Sequence, residues 1–396
     1  MTQRGVAERS KTVRFGVVGL GVAFNFLARN IQGRPHLVLA GACDLRQAAL
    51  DAFAAQFGGE THRNFEDLCK SPSIDVIYVM TPNSLHREQV TMAAAHGKHV
   101  IVDKPMATSL EDCEAMNAAA ERNGVILMCG HSHSYGPAVR KMREVVRSGE
   151  IGPLRMVNTW HFNDWIYRPR AGWELAPDGG GNLIFNQGAH QVDIIRVIGG
   201  GMVRSVRAMT GVWDLARPTE GAYSAFLDFE DGCTATLVYN SYAHFDTAEL
   251  TEWIGEGPRG PERNAGARQR LAQISVDGEE QSKETWRYGS GRDVPASRTL
   301  THFGLTVVSG EAGDIRQSPT GLYIYGNDGK REIAVEPATN QSNGALENMY
   351  EVLHESGKVL RSGRWGQATT EVLLAIMQSA KERREIRLHH QVAGTE

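Results

Sequence analysis

The sequence lacks the features of a membrane, nucleic-acid-binding or disulfide-stabilised protein. No apolar run in its 396 residues approaches the roughly 18 residues of a membrane-spanning helix, and residues 1–12 contain no apolar core of a secretory signal. There is no basic excess to drive binding to DNA or RNA, because 42 lysines and arginines stand against 46 aspartates and glutamates. The five cysteines form no CxxC pair, which argues against a disulfide framework or a zinc ribbon. These absences predict a cytoplasmic protein that acts on a small molecule, without nucleic acid, membrane or metal.

The composition that remains, 41% hydrophobic and 22% charged, is that of a globular chain long enough for two domains. Over residues 1–130, continuous apolar strands alternate with helical segments, which predicts a doubly wound parallel sheet of the Rossmann type that binds a dinucleotide. Residues 131–396 contain strands of alternating polarity, such as YSAFLDFE, and predict an α+β domain with a mainly antiparallel sheet. Within it, the polar segment 256–297 is expected to be a long surface excursion, partly mobile.

A glycine-rich turn after the first strand predicts the phosphate-binding loop of the dinucleotide. Glycines there permit a tight turn and let a pyrophosphate approach backbone N–H groups at the start of a helix. The residues assigned to this loop are Gly19, Gly21, Val22, Ala23 and Phe24, the last in place of the usual Gly or Ala. The alternative is a structural turn that binds no dinucleotide.

An acidic residue at the end of the second strand bears on which dinucleotide binds. Asp44 stands where a carboxylate accepts the ribose hydroxyls and repels a 2′-phosphate, which favours NAD. Arg46, two residues later, could instead bind a 2′-phosphate, so NADP is not excluded.

Two further polar segments follow predicted strands, at the edge of a parallel sheet where ligands bind. The candidate cofactor-binding residues in them are Thr81, Pro82, Asn83, His86, Asp103 and Lys104. Proline after Lys104 restricts the lysine backbone, and a cis bond there could aim the amine inward. Beside a positively charged nicotinamide the pKa of this amine would be lowered, which suits proton transfer near neutral pH. The alternative is an exposed lysine at a strand end.

The segment NQGAHQVD offers a second titratable group. On a helix, Asn186 and His190 share a face, and Asp193 could orient the imidazole of His190. A structural histidine is the alternative. His131 and His133 lie on one strand face, but without a third ligand they predict no metal site, and His131 is expected to border the nicotinamide.

Five segments together resemble the Gfo/Idh/MocA oxidoreductase family over nearly the whole chain. They are FGVVGLG, TPNSLH, GKHVIVDKP, VVRSGEIGPLRMV and GGGNLIFNQGAHQVD. The resemblance implies a Rossmann domain, a second domain whose large open antiparallel sheet serves oligomerisation as a homodimer or homotetramer, and a nicotinamide cofactor at the cleft between them.

The resemblance also assigns catalytic roles to Lys104 and His190. Two residues depart from the family pattern: Asp103 replaces the usual Glu before the lysine, and Asn186 replaces a frequent Asp before the histidine. Because an amide cannot relay a proton, the resemblance implies that Lys104 and His190 carry the acid–base chemistry between them.

Longer segments are similar to one branch of the family, the phthalate 4,5-cis-dihydrodiol dehydrogenases. They are NDWIYRPRAGWEL, FNQGAHQVDIIRVIGGG and THFGLTVVSGEAGDIRQSPTGLYIYG. This similarity implies that NAD oxidises 4,5-dihydroxy-4,5-dihydrophthalate to 4,5-dihydroxyphthalate. A sugar, inositol or other polyol dehydrogenase and a non-catalytic dinucleotide-binding regulator remain as alternatives.

The segment NDWIYRPRAGWE is then expected to hold the substrate. Arginines offer planar bidentate donors to carboxylates, and aromatic rings offer a face to the flat substrate. The residues assigned to substrate binding are Trp165, Tyr167, Arg168, Arg170, Asn186 and His190, with Trp173 as a further ring. In the alternative, the rings fill the domain interface and the arginines pair with Asp164 and Glu174.

Overall fold

The computed structural model describes residues 12–31, 33–176, 180–256, 266–291, 300–336 and 344–395. Its strands form two sheets, one of six strands and one of nine, with helices packed against both. The predicted combination of a Rossmann domain and an α+β domain is confirmed. Within the described ranges, no helix is both long and apolar enough to cross a membrane.

The six-stranded sheet is parallel throughout and has the order β3-β2-β1-β4-β5-β6. Its strands are β1 (Val13–Val18), β2 (Leu37–Cys43), β3 (Glu60–His62), β4 (Val76–Val79), β5 (His99–Asp103) and β6 (Leu127–Gly130). The helices between them are α1 (Val22–Asn30), α2 (Gln47–Phe57), α3 (Phe65–Lys70), α4 (His86–Ala95) and α5 (Leu110–Asn123). Because the strand order reverses between β1 and β4, a crevice for a ligand opens beyond their carboxyl ends.

The nine-stranded sheet has the order β14-β13-β12-β11-β7-β10-β9-β8-β15, and only the β10–β7 pair is parallel. Its strands are β7 (Leu154–Phe162), β8 (Val203–Gly211), β9 (Ala222–Phe229), β10 (Thr234–Asn240), β11 (Leu305–Gly310), β12 (Gly313–Gln317), β13 (Gly321–Gly326), β14 (Gly329–Ala334) and β15 (Ile386–Arg387). The remaining helices are α6 (Pro137–Ser148), α7 (Gly172–Leu175), α8 (Ala189–Gly199), α9 (Ala267–Ala272), α10 (Val276–Glu284), α11 (Gly344–His354) and α12 (Gly363–Glu382). The core under this sheet includes side chains of α6, α8 and α12.

Helix α11 belongs to the second half of the chain but packs into the first domain. Leu346 and Met349 are fully buried in the same apolar cluster as Val13 and Phe15. The backbone N–H of Cys129, in the last strand of the parallel sheet, also donates to the carbonyl of Arg361. The predicted boundary at residue 130 divides the chain by sequence position. The core of the first domain nevertheless also contains residues from the C-terminal part of the chain.

Residues 266–291, called the strap below, are the part of the predicted surface excursion that the structure describes between its two gaps. They contain α9 and α10 and then contact the first domain. Tyr288 is only 6% exposed, its ring lies 4.8 Å from that of Phe24, and its hydroxyl donates to Gln56 Oε1 over 2.6 Å. Burying this aromatic ring against α1 and α2 fixes the strap over the glycine loop. Residues 257–265 and 292–297 of the predicted excursion lie outside the described residues.

Candidate active site

A cleft of about 1040 Å³ runs along the carboxyl edge of the parallel sheet and reaches the second domain. On the first domain it is lined by residues that follow β1, β2, β4 and β5. The predicted residues among them are Gly19, Gly21, Val22, Ala23, Asp44, Arg46, Thr81, Pro82, Asn83, Asp103 and Lys104. Across from them, the second domain contributes the predicted residues Arg170, Asn186 and His190.

The glycine loop has the geometry of a phosphate cradle. Gly19 has a φ of +92°, and a Cβ there would lie 2.8 Å from the carbonyl oxygen of Met80, so only glycine is accommodated. At Gly21 a Cβ would meet no atom within 4 Å, which means that this residue faces the open cleft. Helix α1 begins directly afterwards, and no described side chain caps its first turn. The N–H groups of that turn are therefore available to an anion.

Asp44 lies at the end of β2, beside this loop. Its carboxylate accepts the N–H of Leu20 over 2.7 Å and the N–H of Arg46 over 2.8 Å. The guanidinium of Arg46 also lies 3.2 Å from the same carboxylate and donates to the carbonyl oxygen of Leu20. Asp44 and Arg46 thus form an ion pair at the end of β2, where the ribose hydroxyls of a dinucleotide would bind.

Lys104 follows β5, and its bond to Pro105 is cis. Its ammonium donates to the backbone oxygen of Asn186 over 2.9 Å, which joins the two domains across the cleft. Burial lowers the pKa of Lys104, and the neighbouring Asp103 only partly offsets this effect. Burial likewise raises the pKa of Asp103. Lys104 consequently loses its proton at a lower pH than an exposed lysine, so it can exchange a proton with a bound molecule.

His190 is held across the cleft from Lys104 by an irregular helix start. A single π-helical turn, Ile184–Gly188, leads into α8, and such turns recur at functional sites. The His190 ring packs edge-to-face on His133 at 4.4 Å and lies 5.2 Å from Phe303. Its Nδ1 has no hydrogen-bond partner among the described residues. Burial first, and then the positive charge of Lys104, lower the pKa of His190 well below the usual range, so the imidazole is neutral.

The structure corrects the prediction that Asp193 orients His190. Asp193 accepts the indole N–H of Trp365 over 2.6 Å and lies 3.7 Å from both Arg361 and the Nδ1 of His131. This carboxylate points into the core because its helix turns it away from the cleft. His131 is only 2% exposed and belongs to the same buried cluster, so it does not border the cleft as predicted. Its neighbour His133 does.

Two predicted cofactor residues also lie beneath the surface of the cleft. The side chain of Phe24 is fully buried and packs on Phe53, at 6.0 Å, and on Tyr288. This contact explains why a large ring replaces the small third residue of the motif. His86 is 1% exposed, and its two ring nitrogens lie 3.1 and 2.9 Å from the carbonyl oxygens of Met106 and Thr81. Phe24 and His86 thus pack behind the loops that form the wall of the cleft, and neither side chain lines it.

Of the residues predicted to hold the substrate, only some reach the cleft. Trp165 is 1% exposed and Tyr167 9% exposed, and neither lines the cleft. Arg168 is also off the lining and pairs with Asp164 at 2.9 Å. Residues 165–167 form a 3₁₀ turn and not a strand, so their side chains do not alternate between two faces. Arg170 does line the cleft, and its guanidinium stacks 3.7 Å from the Trp165 ring.

A buried carboxylate, Glu174, holds the second-domain side of the cleft together. Its oxygens accept the N–H of Ala171 over 2.8 Å and lie 3.4 Å from Arg170, and Lys283 of the strap donates to it as well. Burial opposes ionisation of Glu174, but the two cations outweigh it and lower its pKa. Burial lowers the pKa of Arg170 to about 10, so the guanidinium stays charged at neutral pH. Arg170 thus has the acidic partner that the alternative interpretation expected, yet it also faces the cleft.

Several cleft residues were not predicted as site residues from the sequence. They are His133, Glu174, Gln187, Glu256, Lys283 and Arg287, whereas Trp173 lines the cleft as the further ring that the sequence suggests. The sequence suggests Glu174 only as an ion-pair partner of an arginine, and of the two histidines it places His131, not His133, beside the nicotinamide. Lys283 and Arg287 come from the strap, whose polar composition gave no sign that it contacts the first domain.

Taken together, these residues fit a nicotinamide dinucleotide. The glycine loop and the start of α1 would hold the pyrophosphate, and Asp44 would accept the ribose hydroxyls. Lys104 and His190 line the same cavity as the glycine loop and Asp44. Bound NAD would supply the hydride acceptor of an oxidation, and Lys104 and His190 are placed to exchange a proton with a bound molecule.

Comparison with known proteins agrees with this geometry. Residues 13–131 match the family described as oxidoreductases with an NAD-binding Rossmann fold, GFO_IDH_MocA, and residues 139–257 match the GFO/IDH/MocA C-terminal domain. The chain is 34% identical over 377 residues to the 1-carboxy-3-chloro-3,4-dihydroxycyclohexa-1,5-diene dehydrogenase of Comamonas testosteroni, covering 93% of this chain and 95% of the relative.

Solved structures give the same result. A structure from Bordetella bronchiseptica RB50 is 34% identical and superposes with a TM-score of 0.88, covering 95% of this chain and all of the other. The aldose-aldose oxidoreductase of Caulobacter crescentus is 25% identical with a TM-score of 0.72, over 95% of this chain and 100% of that one. The chain therefore belongs to the GFO/IDH/MocA oxidoreductase family and is a dehydrogenase that uses NAD.

Proposed function

We propose that this dehydrogenase oxidises a carboxylated cyclohexadiene cis-diol, with 4,5-dihydroxy-4,5-dihydrophthalate as the substrate, to the corresponding catechol. The observation that carries the proposal is the meeting, in one cleft, of the candidate bases Lys104 and His190 with the cationic Arg170 and the ring of Trp173. The name of the Comamonas testosteroni relative describes a substrate of the same chemical class, a carboxylated diol of a cyclohexadiene.

The chemistry follows from what these residues can do. Oxidation transfers a hydride from a carbinol carbon and releases the proton of its hydroxyl group. Lys104 and His190 accept that proton between them, because burial lowers the pKa of both groups and so favours the deprotonated form that a base needs. The resulting ketone tautomerises to the aromatic catechol, so that diol and NAD⁺ yield catechol, NADH and one proton. Because aromatisation makes the reaction favourable, the task of the protein is orientation and proton transfer.

The carboxylate anchor in this proposal is Arg170, and its neighbour Arg168 provides a matched control. Arg170→Ala is expected to raise KM for the carboxylated diol by the equivalent of about 1.5–3 kcal/mol, the range for a hydrogen bond to a charged group. Arg168→Ala removes a partner of the buried Asp164 and is expected to lower the free energy of unfolding by roughly 3 kcal/mol, with little change in KM. Steady-state kinetics and urea unfolding of both variants measure these effects. An unchanged KM in Arg170→Ala would exclude this anchor.

A second candidate function is oxidation of a sugar, inositol or other polyol. The observation that favours it is the half-exposed Trp173 on the lining, since an aromatic ring can also stack on a sugar face. Rates of NADH formation with carboxylated diols, neutral diols and polyols separate the two candidates. NADH formation from polyols alone would favour the second.

We also propose that the protein forms a homodimer or homotetramer through the outer face of the nine-stranded sheet. By strand register, Met156, Trp160, Met209 and Phe226 point to one face, and each is between 43% and 47% exposed. Such an apolar patch is characteristic of protein interfaces. Light scattering after size-exclusion chromatography is expected to give a multiple of 43.4 kDa, and Trp160→Lys is expected to shift it toward the monomer. A monomeric wild type at micromolar concentration would contradict the proposal.

A further inference from the structure

We propose that Lys283, on α10 of the strap, binds a carboxylate of the substrate and makes the enzyme selective for carboxylated diols. This inference rests on the proposed function and deepens it. The strap is an insertion between two strands of the second sheet, and the inference gives this insertion a role in the active site.

The position of Lys283 is the first observation. Its ammonium donates to Glu174 and lies 5.4 Å from the ring of Trp173, and all three residues line the cleft. The Lys283 side chain is 23% exposed, whereas that of Glu174 is 3% exposed. The cation is thus the more accessible member of the pair, and it stands beside an aromatic surface. A flat ring that carries a carboxylate matches both groups.

The hydrogen-bonding capacity of Lys283 is the second observation. An ammonium carries three N–H donors, and Glu174 is the acceptor that the structure gives it. Glu174 also accepts the N–H of Ala171 and faces the guanidinium of Arg170, so it keeps partners of its own if Lys283 turns toward a ligand. Lys283 therefore has N–H donors that Glu174 does not use. These donors can bind a substrate carboxylate while Lys283 stays hydrogen-bonded to Glu174.

The attachment of the strap is the third observation, because it fixes Lys283 relative to the glycine loop. The carbonyl oxygen of Trp286 accepts the side-chain amide of Asn25 over 2.8 Å. The backbone N–H of Tyr288 donates to the oxygen of Gly21, and Arg46 donates to the oxygen of Tyr288. These contacts place the strap on the same loop that would hold the pyrophosphate. A cation fixed in this way binds its ligand with less loss of conformational entropy than one on a free loop.

The test compares Lys283→Met with wild-type enzyme on a carboxylated diol and on the same diol without carboxylates. KM for the carboxylated diol is expected to rise roughly tenfold to hundredfold, the worth of one charge-assisted hydrogen bond. The kcat for both diols, the KM for the neutral diol and the Kd for NAD are expected to stay within a few-fold. Lys283→Arg is expected to retain the selectivity. Arg270→Gln removes an exposed charge from the same strap away from the cleft and serves as the control.

Calorimetric binding of 4,5-dihydroxyphthalate to the full-length enzyme with NADH provides a readout that does not depend on turnover. Weaker binding to Lys283→Met than to Arg270→Gln would support the inference. It would do so even if the enzyme oxidised no diol, a result that would exclude the proposed function but not the role of Lys283. Equal binding to the two variants, or an equal rise in KM for the carboxylated and the neutral diol, would overturn the inference and leave the proposed function standing.

Discussion

Lys104→Ala is expected to lower kcat for diol oxidation by roughly 10²- to 10⁴-fold, the usual contribution of a positioned general base. The amine is held 2.9 Å from the oxygen of Asn186, at the point where the two domains meet. Removing it eliminates a proton acceptor but leaves the glycine loop and Asp44 in place. The Kd for NAD, measured by fluorescence titration, is therefore expected to change less than about threefold, since the groups that would bind the dinucleotide are unchanged.

The pH dependence of the same variant provides an independent test. Because burial lowers the pKa of Lys104 from 10.5, the neutral amine forms at a lower pH than in an exposed lysine. The rate for wild-type enzyme is expected to rise with pH through that lowered pKa and then to level off, since the base must be deprotonated to act. In Lys104→Ala this rising limb should vanish. If it persists, another group is the base.

His190→Ala is expected to lower kcat by roughly 10²-fold or more, because it removes the second candidate base in the cleft. If His190 and Lys104 act as one proton-transfer unit, the double variant should lose little more than the worse single variant. Losses that multiply would instead indicate independent roles. His131→Ala is the matched control, since His131 is buried beside Asp193 and does not line the cleft. It is expected to reduce stability and to keep kcat within a few-fold.

The predicted residues that the structure places on the cleft lining share a physical basis. Gly19, Asp44 and Lys104 each follow a strand directly, and the carboxyl ends of parallel strands meet at one edge of a sheet. Their position in space is thus determined by local sequence together with a single rule of topology. The family resemblance, confirmed by the comparisons, rests on the same local segments.

The residues that were missed or misassigned depend on packing over long distances in the chain. Lys283 reaches the cleft on a strap whose Tyr288, five residues later, packs on Phe24 more than two hundred and fifty residues earlier. In this contact the side chain of Phe24 is buried beneath the surface of the cleft. Arg168 and Arg170 are separated by one residue, and the 3₁₀ turn before them decides which faces the cleft. No periodicity in the sequence contains that information.

The most direct test of the account is the initial rate of NADH formation by the full-length enzyme with NAD. The rate is measured with the carboxylated cyclohexadiene diol, with its neutral analogue and with inositol, for wild type and Lys104→Ala. The account predicts the highest kcat/KM for the carboxylated diol and its near-complete loss in Lys104→Ala. A higher kcat/KM for inositol, or no NADH from any diol while NAD binds tightly, would contradict it.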